Sequence, residues 1–556
     1  MSYFWQRPKY QTYLDMGFPI EYERMDEKMK LKRKAWSVFL GATLISSGIA
    51  ASAGAAAQDS GWTAAAGLYE VNTWTGQSKW GSDDGALKEA TLFHPRSIVQ
   101  LPDGRLLAAD TGNHLLRALN ATAVSYYGGI ILEYDESGLP VGAYQDGELA
   151  KAAFDEPSGL AVDAAGNVYM ADASNHAVRK VTPDGQVTTL AGDGRIGDDD
   201  GQGSKARFYY PSDVAVDASG TVYVADTLNH TIRKIASDGT VTTLTAPSTR
   251  IVELAADVVE ASGDYADGPI ATAKFNEPSG LVLDNKGNLY VSDRGNQVIR
   301  YIDFAAGTVT TVAGSKPSYA SDSLYAEGDY LDGTASAARF NAPEGLALAP
   351  DGTLVIADSL NHAVRLLKDG KVTTLAGEGT EFGSNDGVTY AAHFDHPTDV
   401  AVLADGRLAI ADESGNKIRV LEKYRTPEGF APSGTIQILL NGELVKPDVP
   451  AFAMNGSTLL PLRSVGEALG YEVGYDAKAQ TAKLSKDGVV YEIKSGALTA
   501  SVTENDTKSE LKLASAPATK QGRLFVPVRF FAEEAGLDIQ WDSASSVVVI
   551  RSPIFQ

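Results

Sequence analysis

Short apolar runs separated by turn residues fill the middle of the chain. Between residues 157 and 192 the runs PSGLAVD, GNVYMAD, AVRKV and QVTTLAG follow one another, and each is rich in Val, Ala, Leu or Tyr. Asp163 and Gly166 supply the residue types that a tight hairpin needs between the first two runs. The pattern predicts four antiparallel strands arranged as a meander.

This four-strand unit recurs along the chain. A block that reads Phe-x-x-Pro, an apolar run, an Asp/Gly turn, a second run ending in Asp, and Asn-His-x-x-Arg returns at spacings of 54 to 67 residues. Repeats of this kind are typical of β-propellers, whose blades pack face to face around a channel. We therefore expect a mostly β chain with a six-bladed β-propeller at residues 58–424. Six Phe residues mark the copies: Phe93, Phe154, Phe208, Phe275, Phe340 and Phe394.

The two ends of the repeat region complement each other. The sixth copy stops after Leu421 without a fourth strand. Before the first Phe, however, the chain reads VNTWTGQSKWGSDDGALKEATLF, which parallels VTTLAGDGRIGDDDGQGSKARF before the third copy. We therefore expect residues 71–76 to form the outermost strand of blade six and to close the ring. Pairing of this segment with blade one would contradict that closure.

The turn that follows the second strand resembles the NHL repeat family, which is named after an Asn-His-Leu triplet. Copy one carries the full triplet, copies two, three and five keep Asn-His, and copies four and six depart from it. The resemblance covers roughly residues 67–424 and implies the propeller fold, but no single function, since propellers host unrelated activities. The six pairs are Asn113-His114, Asn175-His176, Asn229-His230, Asn296-Gln297, Asn361-His362 and Gly415-Asn416.

A second, duplicated pattern follows a Pro- and Gly-containing linker at residues 425–435. The sequence LLPLRS leads to EALGY and then to YD; 66 residues later LFVPVR leads to EEAGL and then to WD. Pro, Arg, Gly, an aromatic residue and Asp keep the same offsets in both halves. Each half predicts a strand, a short helix ended by Gly and a strand pair, so we expect a small α+β domain at residues 436–556.

This second pattern resembles the copper amine oxidase N-terminal-like domain, which occurs in many exported bacterial proteins. Copper oxidases hold their metal with imidazoles, yet no His follows His396 and the chain has no Cys. The copper chemistry therefore does not transfer. We interpret the domain as a stalk or attachment module, in which Arg463 and Arg529 are structural.

The N-terminal residues 1–57 have the layout of an extension and a secretory signal. Lys30, Lys32, Arg33 and Lys34 precede an uncharged stretch, residues 35–57, that ends in small-residue runs. We expect cleavage after Ala53 or Ala57 and a secreted or cell-surface protein, with an uncleaved membrane anchor as the alternative. Either Met1 or Met29 could be the natural start.

Composition narrows the function classes. The absence of Cys excludes disulfides, thiolate nucleophiles and Cys-ligated metal sites. Residues 58–433 hold 28 basic and 52 acidic side chains, and such a surface repels a phosphate backbone. We therefore do not expect the chain to bind nucleic acid. We find no Gly-x-Ser-x-Gly elbow, phosphate loop or His-Glu-x-x-His motif.

Candidate binding residues lie where the copies differ, beside the recurring Pro at the expected channel mouth. From these positions and the residues next to them we select Arg96, Asp213, Glu344 and Asp399 as candidate ligand-binding residues. The flanking pairs are His94 and Arg96, Glu156 and Ser158, Tyr210 and Ser212, Glu277 and Ser279, Ala342 and Glu344, and His396 and Thr398.

Two of these residues suggest a metal site. His94 and His396 occupy equivalent positions in copies one and six, which are neighbours in a closed ring. Because His is a common metal ligand, the pair predicts a small site for a divalent metal. The alternative is two unrelated, half-exposed histidines. Zinc is the metal considered for this pair, and calcium is the metal considered at the Asp-Gly turns described next.

Other recurring polar residues are interpreted as structural. Equivalent Asn-His pairs are spread around a ring, so we expect the Asn to hold a left-handed backbone and the His to bond locally. Asp172 with Arg179, and Asp226 with Arg233, predict a repeated stabilising pair. An Asp-Gly pair precedes every Phe, and we interpret it as a turn, with calcium binding by the Asp as the alternative. These Asp residues stand at 84, 146, 200, 267, 332 and 386.

Three hypotheses for function follow. The leading one is an exported, non-enzymatic binding or scaffolding protein that uses a propeller face to bind an extracellular protein, a peptide or a cell-wall glycan, with no cofactor expected. It contacts membrane only through an uncleaved signal segment. The second is a metal-dependent lyase or lactonase with its site at the channel mouth, since some propellers related to NHL proteins carry out such chemistry. A copper-dependent oxidase ranks last.

Overall fold

The computed structural model describes residues 68–551, except for 256, 257, 378, 380, 432, 477, 543 and 544. The expected N-terminal extension and signal segment, residues 1–57, lies outside the described residues. In the described part of the chain, no helix is both long enough and apolar enough to cross a membrane.

Six five-stranded antiparallel sheets follow one another from residue 69 to residue 423. Each contains a four-strand meander and a two-residue strand that pairs with the outermost strand of the meander. The first strand of the chain, β1 (Tyr69–Gly76), belongs to the sixth sheet. Two short hairpins are inserted, one after the first sheet and one after the third.

The strands of the first three sheets and of the first hairpin alternate with short turns. The bounds are β2 (Gly85–Ala86), β3 (Pro95–Gln100), β4 (Leu106–Asp110), β5 (Leu115–Leu119) and β6 (Ala123–Gly128) in sheet one; β7 (Glu133–Tyr134) and β8 (Pro140–Val141) in the hairpin; β9 (Gly147–Glu148), β10 (Pro157–Val162), β11 (Val168–Asp172), β12 (Ala177–Val181) and β13 (Gln186–Ala191) in sheet two; and β14 (Gly201–Gln202), β15 (Pro211–Val216), β16 (Val222–Asp226), β17 (Thr231–Ile235) and β18 (Thr240–Thr243) in sheet three.

The second hairpin and the last three sheets repeat this arrangement. The bounds are β19 (Arg250–Ala255) and β20 (Val258–Ser262) in the hairpin; β21 (Gly268–Pro269), β22 (Pro278–Leu283), β23 (Leu289–Asp293), β24 (Val298–Asp303) and β25 (Thr308–Ala313) in sheet four; β26 (Gly333–Thr334), β27 (Pro343–Leu348), β28 (Leu354–Asp358), β29 (Ala363–Lys368) and β30 (Lys371–Ala376) in sheet five; and β31 (Gly387–Val388), β32 (Pro397–Val402), β33 (Leu408–Asp412) and β34 (Lys417–Lys423) in sheet six.

The six meanders form a ring. The innermost strands β3, β10, β15, β22, β27 and β32 contact one another in this order, and β32 contacts β3 again. Residues 71–76 lie within β1, which pairs antiparallel with β34 so that Val71 is opposite Leu421 and Gly76 is opposite Lys417. The first strand of the propeller therefore completes its last sheet, which joins the two ends of the ring.

Apolar side chains fill the spaces between neighbouring sheets. The Phe that marks each of copies two to six is fully or almost fully buried there. In copy one our marker was wrong, because Phe93 lies two residues before Pro95 rather than three. Phe93 is half-buried and its ring lies 5.3 Å from that of Trp80. Leu92, which is completely buried, fills the equivalent place in the core.

The C-terminal region is a duplicated α+β domain built on three sheets. Strands β38 (Ser457–Pro461) and β45 (Arg523–Pro527) pair with each other, and each leads directly into a helix, so the two halves of the duplication meet in one sheet. Helix α2 (Val528–Ala535) is followed by Gly536, whose φ of 62° is the left-handed conformation that favours Gly.

The elements of this domain follow one another without long connections. They are β35 (Gln437–Leu440), β36 (Glu443–Val445), β37 (Phe452–Met454), β38 (Ser457–Pro461), α1 (Leu462–Ala468), β39 (Glu472–Asp476), β40 (Thr481–Lys486), β41 (Val489–Lys494), β42 (Thr499–Glu504), β43 (Thr507–Lys512), β44 (Ala518–Lys520), β45 (Arg523–Pro527), α2 (Val528–Ala535), β46 (Asp538–Asp542) and β47 (Val547–Arg551).

The C-terminal domain packs against the outer edge of the sixth sheet. Arg551 forms an ion pair with Glu70 of β1 at 2.7 Å, and the side-chain oxygen of Gln540 accepts a hydrogen bond from the Val388 amide at 2.7 Å. An apolar cluster joins the two regions and includes side chains of the connecting segment. It consists of Leu68, Val388, Tyr424, Leu439, Val547 and Val549, with Ala391, Phe430 and Leu444 against it.

Candidate functional site

Each Asn-His turn links one sheet to the next. In copies one, two, three and five the Nδ1 atom of the His accepts a hydrogen bond from a backbone N–H just before the recurring Pro of the next sheet. In copies four and six the side-chain oxygens of Gln297 and Asn416 accept the same bond. The links, named donor first, are Glu156 to His114 (2.9 Å), Tyr210 to His176 (3.2 Å), Glu277 to His230 (3.1 Å), Ala342 to Gln297 (2.6 Å), His396 to His362 (3.3 Å) and His94 to Asn416 (2.9 Å).

We call these six hydrogen bonds the latches, and they correct our interpretation of the turn. The left-handed residue is the His, not the Asn: φ is 48° at His176. The His does not bond locally either, because it reaches the neighbouring sheet. The Asn has a separate role, since Asn175 donates to the Asp172 carboxylate and to the Ala143 carbonyl, both at 2.9 Å.

A second recurring arrangement, which we call the Arg clasp, holds a buried Arg between two carboxylates. Arg179 is completely buried and donates from Nη1 to Asp172 at 2.5 Å and from Nη2 to Asp146 at 2.7 Å. Asp146 belongs to the recurring Asp-Gly pair. The carboxylate of that pair therefore binds a buried Arg. The six sets are Arg117 with Asp84 and Asp110, Arg179 with Asp146 and Asp172, Arg233 with Asp200 and Asp226, Arg300 with Asp267 and Asp293, Arg365 with Asp332 and Asp358, and Arg419 with Asp386 and Asp412.

The starts of the six innermost strands surround a central polar pocket. Each strand contributes two consecutive residues, so the pocket is lined where the copies differ most. The four candidate ligand-binding residues, selected for their place at the expected channel mouth, all line this pocket. The lining residues are Arg96, Ser97, Ser158, Gly159, Ser212, Asp213, Ser279, Gly280, Glu344, Gly345, Thr398 and Asp399.

A network of ion pairs crosses the mouth of this pocket. Glu344 accepts from Arg96 and from Arg294, each at 3.1 Å, and Arg294 also donates to Glu277 at 2.9 Å. The Nε atom of Arg96 lies 3.9 Å from a Glu413 carboxylate oxygen. Burial lowers the pKa of Arg96, but the carboxylates of Glu413 and Glu344 outweigh it and raise that pKa above its usual value.

Tyrosine hydroxyls complete the mouth. Tyr210 donates to Glu156 at 2.8 Å, and Ser174 donates to the same carboxylate oxygen at 2.7 Å. Tyr325 donates to Glu277 at 2.9 Å. Our sequence reasoning did not select Arg294, which follows the Asp at the end of a second strand. The residue at that place varies between copies, so the same argument from broken repetition could have found it.

Besides Glu344, two Asp carboxylates line the pocket, on the third and the sixth innermost strands. Asp399 accepts from the Ser97 hydroxyl at 2.8 Å and from the Ile98 amide at 3.0 Å. Asp213 accepts from the Leu281 amide at 2.7 Å. Burial raises the pKa of Asp399 to about 6, and burial together with the charge of Asp399 raises the pKa of Asp213 well above its usual value. Both residues therefore bind the next sheet as well as lining the pocket.

In the structure, His396 contacts Asp395 and His362. His94 lies beside Glu413, with 3.8 Å between Nδ1 and a carboxylate oxygen. His396 bonds Asp395 through Nδ1 at 2.8 Å, and its ring centroid lies 4.7 Å from that of His362. Within the described residues, His362, Asp395 and His396 are the one group of three potential metal ligands whose ligand atoms all lie within 4.8 Å of one another. His94 is not a member of this group, which joins His396 to His362 and Asp395.

Several connections at the end of the propeller that carries the latches, which we call the mouth face, bear exposed apolar side chains. Insertions there reach back toward the mouth: the Pro140 carbonyl contacts His114 Nε2 at 3.2 Å, and the Phe382 ring lies 5.9 Å from that of His362. The exposed side chains on connections at this face are Trp80, Leu132, Tyr134, Ile196, Ile251, Val258, Val259, Tyr325, Leu360 and Phe382.

Two family models match the chain. The NHL repeat model matches residues 154–181, 208–235 and 275–300, which are the second, third and fourth copies. The copper amine oxidase N-terminal domain model matches residues 439–550. The chain carries NHL repeats and a copper amine oxidase N-terminal domain. Both resemblances noted from sequence motifs are therefore confirmed.

Several curated relatives match part of the chain. Protein SUPPRESSOR OF QUENCHING 1, chloroplastic, of Arabidopsis thaliana is 32% identical over 289 residues, which are 50% of this chain and 26% of the relative. NHL repeat-containing protein 2 of Homo sapiens is 27% identical over 352 residues, which are 60% of this chain and 46% of the relative. This chain therefore spans less than half the length of either relative.

Solved structures with a similar fold include proteins of different function. An auxiliary nutrient binding protein from Bacteroides thetaiotaomicron is 16% identical, with 64% of this chain and 76% of that chain covered and a TM-score of 0.46. Virginiamycin B lyase from Staphylococcus aureus, in its selenomethionine-substituted form, is 12% identical, with 64% and 98% covered and a TM-score of 0.38. At these scores neither similarity indicates a function for this chain.

Proposed function

We propose that this chain is an exported, non-enzymatic binding or scaffolding protein that acts at the cell surface through its mouth face. The observation that carries the proposal is the set of exposed apolar side chains around a polar pocket. Exposed apolar side chains that are grouped beside polar residues are typical of interaction sites, and Ile251, Val258 and Val259 are grouped in one hairpin at this face. The basic residues before the uncharged stretch 35–57 support export.

The chemistry of the mouth suits recognition. Glu344 and Glu277 are each held by two neighbours, so their remaining lone pairs point in fixed directions. Donors and acceptors held in this way lose little conformational freedom when a ligand binds. The side chains of Tyr134 and Phe382 offer apolar area at the rim, which suits both peptides and sugar rings.

The proposed partner is an extracellular protein, a peptide or a cell-wall glycan. Charge argues against nucleic acid, because the chain has 71 acidic and 48 basic side chains. The C-terminal domain is proposed as the attachment module. Its ion pair between Arg551 and Glu70 joins it to the closing strand of the ring, so attachment would also hold the propeller in one orientation.

The test compares two variants of the purified chain for binding to the cell-envelope fraction of the source organism. The first replaces three mouth-face residues, Tyr134→Ser, Ile251→Ser and Phe382→Ser. Their side chains are 56%, 69% and 69% exposed, so folding should be retained. We expect at least a tenfold loss of binding, measured by biolayer interferometry.

The matched control replaces three exposed residues at the opposite end of the strands, Asp184→Ser and Lys286→Ser in turns and Lys371→Ser at the start of β30. We expect parental binding. Equal loss in both variants, or no loss in the first, would contradict the proposal. Treating the envelope with protease or with glycan hydrolases beforehand then identifies which class of partner is bound.

A metal-dependent lyase or lactonase is the second candidate. The group formed by His362, Asp395 and His396 favours it, because His396 directly precedes β32, the innermost strand whose first residues line the pocket. Turnover of lactone or cyclic ester substrates that requires added metal, and that is lost in His396→Ala, would support this candidate over the binding role.

A further inference from the structure

Two neighbouring sheets contribute side chains to one compact group. His362 ends the one-turn helix Ser359–Asn361 of sheet five, whereas Asp395 and His396 precede the innermost strand of sheet six. One ligand atom from each lies within 4.8 Å of the others. The group therefore spans the seam between these two sheets, and a single ion there would connect them.

Two hydrogen bonds occupy the group at present. His396 Nδ1 and Asp395 Oδ1 are 2.8 Å apart and share a proton. His362 Nδ1 accepts the His396 amide proton at 3.3 Å, the longest of the six latches. A metal that binds His362 at either ring nitrogen must displace this latch, because a neutral imidazole offers one lone pair. The latch that would be displaced is the loosest in the ring.

We propose that His362, Asp395 and His396 bind a divalent transition metal, zinc by preference, which links sheets five and six in place of the latch. Two imidazoles and one carboxylate form a ligand set that zinc accepts, whereas calcium prefers oxygen ligands alone. Tetrahedral zinc places its ligand atoms about 3.3 Å apart. Side-chain rotations that move ligand atoms by about 1–2 Å would close the present spacing to that value.

The surroundings leave one side of the group open. The His396 and Asp395 side chains are 36% and 28% exposed, whereas His362 is 8% exposed. Solvent can therefore reach the fourth coordination position, which three protein ligands leave free. The exposed ring of Phe382, 5.9 Å from that of His362, borders the group on the apolar side. This inference is independent of the binding role proposed above.

The experiment is zinc titration of the purified full chain by isothermal calorimetry, with metal content after dialysis measured by mass spectrometry. We expect one zinc per chain and a rise in the thermal unfolding midpoint. His362→Gln is the informative variant, because Gln297 already serves as a latch in the fourth copy. It should retain the fold and lower zinc affinity at least tenfold, as should His396→Ala.

Two control variants sharpen the outcome. His114→Gln changes an equivalent latch that has no second His beside it, and His94→Ala removes the histidine first expected to pair with His396. Both should bind zinc as the parent does. Absence of zinc binding by the parent, or unchanged affinity in His362→Gln and His396→Ala, would overturn the proposal. Loss in His94→Ala would overturn it in favour of the pair His94 and His396.

Discussion

The Arg clasp and the channel mouth use the same residue types for opposite purposes. Each clasp holds an Arg and two Asp residues in the same arrangement in all six copies, and the Arg and one Asp are completely buried. At the mouth, Arg96 and Glu344 stand where other copies have Ser or Thr, and their pair is partly open to water. Charged residues that recur in all six copies stabilise the fold, whereas Arg96 and Glu344, which each occur in one copy only, are available to contact a ligand.

Removing one Arg from a clasp should produce the largest effect. In Arg233→Ala the fully buried Asp226 carboxylate loses its cation, and Asp200 loses the same partner. Breaking a buried ion pair on one side typically costs about 3–5 kcal/mol. We expect a loss of this size in the free energy of unfolding, measured by urea titration followed by circular dichroism.

The control for that variant is Arg207→Ala. Arg207 also pairs with two Asp residues, Asp193 and Asp199, but its side chain is 34% exposed. Exposed pairs contribute about 0–1 kcal/mol, so the control should unfold close to the parent. Equal losses in the two variants would contradict the view that burial makes the clasp essential.

The latches should make the ring sensitive to acid. His230 accepts the Glu277 amide through Nδ1 and must be neutral to do so. Burial and the charge of Arg250 lower the pKa of His230 to about 4. The unfolded chain has a His pKa of about 6.5 and binds the proton first. This stabilisation is therefore complete above about pH 6.5 and is lost as the pH falls toward 4, by about 1–3 kcal/mol.

Reciprocal exchanges test this pH dependence. His230→Gln copies the natural latch of Gln297, so the unfolding free energy should vary less between pH 6.5 and pH 4 than in the parent. Gln297→His should add a similar dependence in the fourth copy. A parental pH profile in both variants would show that the latch histidines do not titrate with folding.

Much of the fold could be predicted because its determinants repeat. Alternating apolar runs and turns indicated the meanders, and the parallel between the intervals before copies one and three indicated where β1 pairs. The misplaced marker Phe93 shows the limit, since a one-residue shift within a single copy exchanged a core position, filled by Leu92, for a half-buried one. The spacing to the recurring Pro distinguishes the two, since Leu92 and not Phe93 stands three residues before Pro95.

The site was less accessible from sequence. Arg96 and Glu344 are 248 residues apart and meet only because the ring closes. Tyr325 lies in an interval without an equivalent in other copies, so no periodic argument could select it. The contact of Arg551 with Glu70 depends on how two domains pack, which neither repeat pattern encodes. The contact of His396 with His362 was not foreseen for a related reason, because the latch that orients His362 was unknown. A metal site at His94 and His396 stays a prediction.

The most direct test replaces charged residues at the mouth and leaves every residue of the Arg clasps unchanged. The double variant Arg96→Met and Glu344→Met removes both partners of one ion pair, and Arg294 keeps Glu277 as its partner. Binding to the cell-envelope fraction and the urea unfolding midpoint should be measured on the same preparation. We predict binding at least tenfold weaker and unfolding within about 1 kcal/mol of the parent. Parental binding, or a loss of stability as large as that of Arg233→Ala, would contradict the division between a repeated structural network and a variable binding site.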